Sequence, residues 1–191
     1  LAQRRQSGNG VLKPSSPVFA PPFKYQIVPL KHPFIKVPLI MSLFFHDVKI
    51  HQRFDLGMLC LSEEEIISFA EQYDPMPFHT NPEIAKQSPF GALIASGPHP
   101  FHAIYLREWV PRFKDSVLAG KGIHHWNLHL PVYANQAIQC HLEVKLHEAK
   151  PAKGFGVINW YFSFENEEGQ LVQDLEMVVL HWLKPPPYAR Q

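Results

Sequence analysis

Four strand-like runs fill the C-terminal part of the chain, at about residues 122–130, 137–149, 155–166 and 170–183. Each is rich in β-branched and aromatic residues, and Glu167-Glu168-Gly169 supplies a hairpin turn between the last two. The strands follow the helical segments instead of alternating with them, which argues against βαβ units and a parallel sheet. One further strand is expected at about 54–61, ahead of the helices. The order predicts an α+β domain in which an antiparallel sheet packs on one long helix.

The helices announce themselves by their first turns. Ser62-Glu63-Glu64-Glu65 is a capping box, in which the serine hydroxyl and the third glutamate each satisfy a free amide, and it predicts a helix to about residue 72. Asn81-Pro82-Glu83 places a side-chain cap before a proline whose missing donor costs nothing, and predicts a short helix over 82–87. A third helix starts near Ser96-Gly97-Pro98 and runs to about residue 110, with Phe101, Ile104, Tyr105 and Trp109 at core spacing.

Charge separates the first 40 residues from the rest. They hold six of the 18 Lys and Arg and none of the 17 Asp and Glu, leaving 12 basic against 17 acidic residues beyond them. Seven of the 19 prolines also fall there. The segment reads as a disordered tail or as sequence upstream of, or foreign to, a single domain over 41–191. An acidic body of this kind argues against a nucleic-acid binder, whose folded part carries a basic face. Cys60 and Cys140 are too few for a disulfide scaffold and suit a reducing compartment, the cytoplasm. No run of about 18 apolar residues is present to span a membrane.

Two stretches can carry chemistry. In Tyr73-Asp74-Pro75-Met76-Pro77-Phe78-His79, a carboxylate and an imidazole sit five residues apart in a segment whose prolines predict a rigid, non-helical turn. Such a turn can aim both side chains at one water for acid–base work. Alone, the spacing fits a capping aspartate and a packed histidine better. In Phe90-Gly91-Ala92-Leu93-Ile94-Ala95-Ser96-Gly97, the last two residues open a helix, where free amides can hold a negatively polarised oxygen. An ordinary helix cap has the same composition.

Read together from Phe69 to Gly97, the order F-A-x-x-Y-D-P-x-P-F-H-x-N-P-E-x-A-x-x-S-P-F-G-x-L-I-A-S-G resembles the signature of the MaoC-like acyl dehydratases, of the (R)-specific enoyl-CoA hydratase type. Leu130-Pro131-Val132 is similar to a later strand of that family, and the likeness extends over about 54–185. The resemblance implies a hot-dog fold, a long helix wrapped by a curved antiparallel sheet. It further implies pairing of two protomers as a homodimer, with an acyl-CoA tunnel at their interface. By the same resemblance Asp74 and His79 are the catalytic pair that activates water, and Gly97 with Ser96 binds the thioester carbonyl. Met76, Phe78 and Tyr105 would line the substrate pocket. The implied reaction is reversible syn hydration of a trans-2-enoyl thioester, on coenzyme A or an acyl carrier, in fatty acid metabolism. No metal or other cofactor is called for, because the thioester itself acidifies the α proton. Met76 stands where the family often has a polar residue, Tyr105 where some members have serine, and Asn135-Gln136 where Gly-Asp is usual. These departures bear on substrate choice.

Twelve histidines raise the question of a metal. His99 and His102 share a helix face, and His125, Asn127 and His129 are expected on one side of a strand, yet no acid or cysteine joins them at ligand spacing. Trp109, Trp126, Trp160 and Trp182 read as core or interface aromatics. Lys121, Lys150 and Lys153 are candidates for the coenzyme A phosphates or simply exposed lysines. Two rival functions remain: a hot-dog thioesterase, and a non-catalytic acyl-CoA binding subunit.

Overall fold

The computed structural model describes residues 42–186, so the expectation for residues 1–40 lies outside the described residues, as does Met41. Its sheet has five strands: β1 (Arg53–Cys60), β2 (Val117–Leu128), β3 (Ala137–Lys150), β4 (Phe155–Glu165) and β5 (Leu171–Trp182). They are antiparallel throughout and ordered β1-β3-β4-β5-β2. Between β1 and β2 lie α1 (Glu63–Tyr73), α2 (Pro77–Thr80), α3 (Pro82–Gln87), α4 (Pro98–Ile104), a π turn (Tyr105–Trp109) and α5 (Val110–Phe113). This is the α+β arrangement expected, a continuous helical segment lying on one face of an antiparallel sheet: the hot-dog fold.

The core forms because β4 alternates without interruption. Ile158, Trp160, Phe162 and Phe164 face the helices and are fully buried, while Val157, Asn159, Tyr161 and Ser163 take the opposite face. From the helical side Phe101 meets Phe162 edge-on, and Trp109 and Phe113 meet Trp160, at ring separations of 5.2, 6.1 and 4.5 Å. Burying each large aromatic contributes about 2–3 kcal/mol.

Local signals held where they were short-range. The Ser62 capping box forms, with Glu65 N–H donating to the serine hydroxyl and Ser62 N–H to the Glu65 carboxylate. Asn81 caps α3 through the Glu83 and Ile84 amides. Three expectations need correction. The proline stretch after Asp74 is not wholly non-helical: α2 is one helical turn, tolerated because Pro77 occupies its first position. The third helix does not stop at Val110 but passes through Pro111 to Phe113. An interior proline lacks a donor and crowds the carbonyl four residues earlier; here the chain widens into the π turn, with Val110 N–H donating to the Tyr105 carbonyl. The Arg112 guanidinium donates to the nearby Glu108 carbonyl at 2.6 Å. Finally, β2 begins at Val117, and His125 and Asn127 do not alternate as drawn. The register shifts between His124 and Asn127, and His125 takes a left-handed φ of 49°.

One buried histidine serves the core. Ser116 Oγ donates to the Phe113 carbonyl, and Trp160 Nε1–H donates to His181 Nε2. His181 Nδ1 must therefore carry the proton and donate to Ser116 Oγ at 2.8 Å. Burial pushes the His181 ring down to about 4 from 6.5, and does the same to His99, which stacks on Phe69 at 4.2 Å. Both rings fold neutral with depressed values, so their full contribution is present above pH 6.5. It is lost as pH falls from there toward 4, by about 2 kcal/mol for each at pH 5. Urea midpoints measured from pH 7 to pH 4.5 should fall accordingly, and a flat profile would contradict this account.

Candidate active site

The site is built from the segment between α1 and α4. Asp74 ends α1, its amide donating to the Ala70 carbonyl. The chain then turns at Pro75, closing a Met76 N–H to Asp74 carbonyl bond of 2.7 Å, and α2 lifts His79 back toward the aspartate. His79 is 6 % exposed, and its Nδ1 lies 2.8 Å from the Ile94 carbonyl. A carbonyl only accepts, so Nδ1 carries the proton in the neutral ring and Nε2 presents a lone pair. That lone pair faces Asp74 Oδ2 at 3.6 Å.

This spacing has a chemical meaning. Neutral Nε2 and an ionised carboxylate are both acceptors and cannot bond each other, so a group between them must donate to both. Water does so. If the ring takes a proton from that water, Nε2–H then faces the carboxylate and the pair is complementary again. The same oxygen is steadied by Ser96, fully buried, whose Oγ donates to Asp74 Oδ2 at 2.6 Å. The serine hydroxyl, expected near the thioester carbonyl, is thus engaged with the carboxylate.

Gly97 caps α4. Pro98 and Pro100 lack donors, and the His99 amide is engaged with the Ser96 carbonyl, so little of the usual donor set of a helix start remains. Among the described residues the Gly97 N–H has no protein acceptor. A Cβ at Gly97 would lie 2.6 Å from Cδ1 of the exposed Leu128 side chain, whose tip would have to move to admit one. The segment carrying both Ile94 and Gly97 is anchored by the Ile94–Tyr133 bridge and by Ala95 N–H donating to the Val132 carbonyl at 2.8 Å.

The structure therefore brings together Asp74, His79 and Ser96, with Gly97 next in the chain. Phe78 packs edge-on against His79 and touches Phe90. Met76 is half exposed at the motif. Tyr105 packs against Phe101 and stacks on Trp109. Burial raises its phenol above the usual range. Lys121 and Lys153 are exposed, and Lys150 pairs with Glu148. His102 is exposed and His99 buried; among the described residues no three His, Cys, Asp or Glu side chains gather as metal ligands. No helix among them is long and apolar enough to cross a membrane. Sequence reasoning missed Gln173, whose side chain reaches Gly97 from β5.

Fold and site together define a hot-dog domain with an Asp–His pair at the start of its central helix. Residues 47–156 match the family described as MaoC like domain, and the chain belongs to that family. Among similar proteins, the uncharacterized protein YdeM of Bacillus subtilis (strain 168) is 29% identical over 136 residues, 70% of this chain and 95% of that one. The solved MaoC-like dehydratase from Rhodospirillum rubrum is 26% identical, with a TM-score of 0.65 over 76% of this chain and 100% of that one. R-hydratase PhaJ1 from Pseudomonas aeruginosa shares the fold, with a TM-score of 0.60 at 18% identity over 75% of this chain and 88% of that one.

Proposed function

We propose that the chain is an (R)-specific enoyl-CoA hydratase, a hydro-lyase adding water reversibly to trans-2-enoyl thioesters to give (R)-3-hydroxyacyl thioesters. The observation that carries this reading is the 3.6 Å gap between two acceptors, His79 Nε2 and Asp74 Oδ2, beside a Gly97 N–H without a protein acceptor. Water held between the pair gives up a proton as its oxygen adds to C3. Electron density moves through C2 to the thioester oxygen, which Gly97 N–H stabilises, and the proton returns to C2 from the same face. The thioester supplies the acidity, so the reading needs no metal or redox cofactor. It places the substrate on coenzyme A or an acyl carrier, the site at a homodimer, and the protein in the cytoplasm.

Purified protein should remove the conjugated-thioester absorbance of crotonyl-CoA, and chiral analysis should find the (R)-3-hydroxy product. Release of free thiol instead would identify a thioesterase. Saturable acyl-CoA binding without turnover, unchanged in His79→Ala, would identify a binding subunit and overturn the proposal.

A further inference from the structure

Inward positions of β4 and β5 are almost all apolar. The polar exceptions on β5 are His181, whose bonds are accounted for above, and Gln173, which is 1 % exposed. Burying a primary amide costs roughly 1–3 kcal/mol unless its bonds are made. Its place there follows from an irregularity of the sheet. Phe164 pairs with Gln173 and Glu165 with Leu171, so Val172 is an extra residue and two successive side chains are buried. The bulge also sends the Val172 carbonyl to the His129 and Leu130 amides at 2.9 and 3.2 Å, tying down the end of β2.

The re-aimed amide has one target among the described residues: Gln173 Nε2–H donates to the Gly97 carbonyl at 3.1 Å. Leu128, which stands directly opposite Gln173 across the β2–β5 pair, is the residue whose methyl closes on the Gly97 Cα. One cross-strand pair therefore reaches Gly97 twice, by a hydrogen bond on its carbonyl and by the tip of the exposed Leu128 side chain. Glycine is the residue least restrained by its own sterics, and the peptide that follows it ends in a proline with no donor. Its direction must be imposed from outside.

We infer that Gln173 is a positioning residue: by holding the Gly97 carbonyl, in the peptide next to the one that carries the Gly97 N–H, it restrains the Cα between them and so helps to aim that N–H at the thioester oxygen. This rests on the proposed hydratase reading for its chemistry, but the geometric part can be tested without turnover. A donor aimed in advance is the kind of group whose displacement costs rate more than binding.

The test uses Gln173→Met, which keeps length without a donor, and Gln173→Glu, which donates only when protonated. In ¹H–¹⁵N spectra of the full chain, Gln173→Met should shift or broaden the Gly97 amide while the Trp160 indole resonance stays in place. An unmoved Gly97 amide overturns the inference whether or not the wild type hydrates crotonyl-CoA. With crotonyl-CoA, Gln173→Met should lose about 10–100-fold in kcat with KM changed less than threefold, against oxyanion-donor losses of 10²–10³ for direct contacts. The Gln173→Glu profile should gain kcat on the acid side of its own ionisation, over a range where wild type does not. A raised KM at unchanged kcat, or equal pH profiles, would also overturn it. Inactive wild type with a displaced Gly97 amide in Gln173→Met would sink the hydratase reading and leave the positioning role standing.

Discussion

Asp74→Asn should lower the rate of crotonyl-CoA hydration by about 10²–10⁴-fold, the range expected when one partner of an acid–base pair is disabled. The substitution preserves size, and an NH₂ in the place of Oδ2 can donate to the Ser96 hydroxyl from which Oδ2 accepted, so the turn between α1 and α2 has no reason to rearrange. What changes is the sign of a bond. The asparagine NH₂ can donate directly to His79 Nε2, across a gap that now holds two acceptors 3.6 Å apart. The place where a water must donate twice is closed by the protein itself. Initial rates should show the loss in kcat, with thermal unfolding near that of the wild type. A variant within threefold of wild-type rate would remove Asp74 from the chemistry.

Among the described glycines, Gly156→Ala should be the most damaging for stability. A Cβ there would fall 2.1 Å from Phe45 Cε2 and 2.5 Å from its Cδ2 and Cζ, well inside contact distance. Phe45 cannot step aside cheaply. Its ring is 2 % exposed and stacked on His147 at 3.9 Å, and His147 Nε2–H donates to the Phe45 carbonyl at 2.9 Å. Overpacking of this kind costs about 2–3 kcal/mol, roughly 5–10 °C in Tm for a domain of this size. Gly120→Ala is the control, because a Cβ at Gly120 meets nothing within 4 Å. Denaturant midpoints should separate the two variants, and equal midpoints would show that the Phe45 wedge is not rigid.

How much of this was legible in the sequence depended on how far apart the deciding residues lie. The capping box at Ser62 and the Asn81-Pro82 start act within one helical turn, and both formed where they were read. The order of elements, helices before a run of strands, was enough for an antiparallel sheet packed on one long helix, and the hot-dog arrangement came from the family resemblance over Phe69–Gly97. Prolines misled in both directions. Pro77 starts a helical turn in a segment expected to be non-helical, and the helix expected to end at about residue 110 runs on through Pro111 in α5, after a π turn. The distinction is positional: a first-turn proline wastes no donor, and an interior one can be accommodated if the turn widens. At the site, the Asp–His spacing and the helix start were visible as a pattern. The Ser96–Asp74 bond and the Nδ1 anchor at Ile94 were not, since each depends on how two loops are folded together. Gln173 was invisible for a stronger reason: nothing in Leu171-Val172-Gln173-Asp174 distinguishes an inward amide from an outward one until the bulge sets the register.

The two halves of the site also differ in what the chain must spend to assemble them. Ser96 and Asp74 are 22 residues apart and His79 and Ile94 only 15, so the acid–base half closes small loops within one segment. The grip on Gly97 spans 76 residues to Gln173, and Leu128 reaches its place only when β2 pairs with β5, the last strand of the chain. Loop-closure entropy rises with that separation, and such pairings are the slow ones. A nascent or partly refolded chain can thus close the Asp74–Ser96 and His79–Ile94 loops while Gly97, whose N–H is the proposed thioester donor, still lacks both restraints, so on the proposed reading competence waits on the final strand.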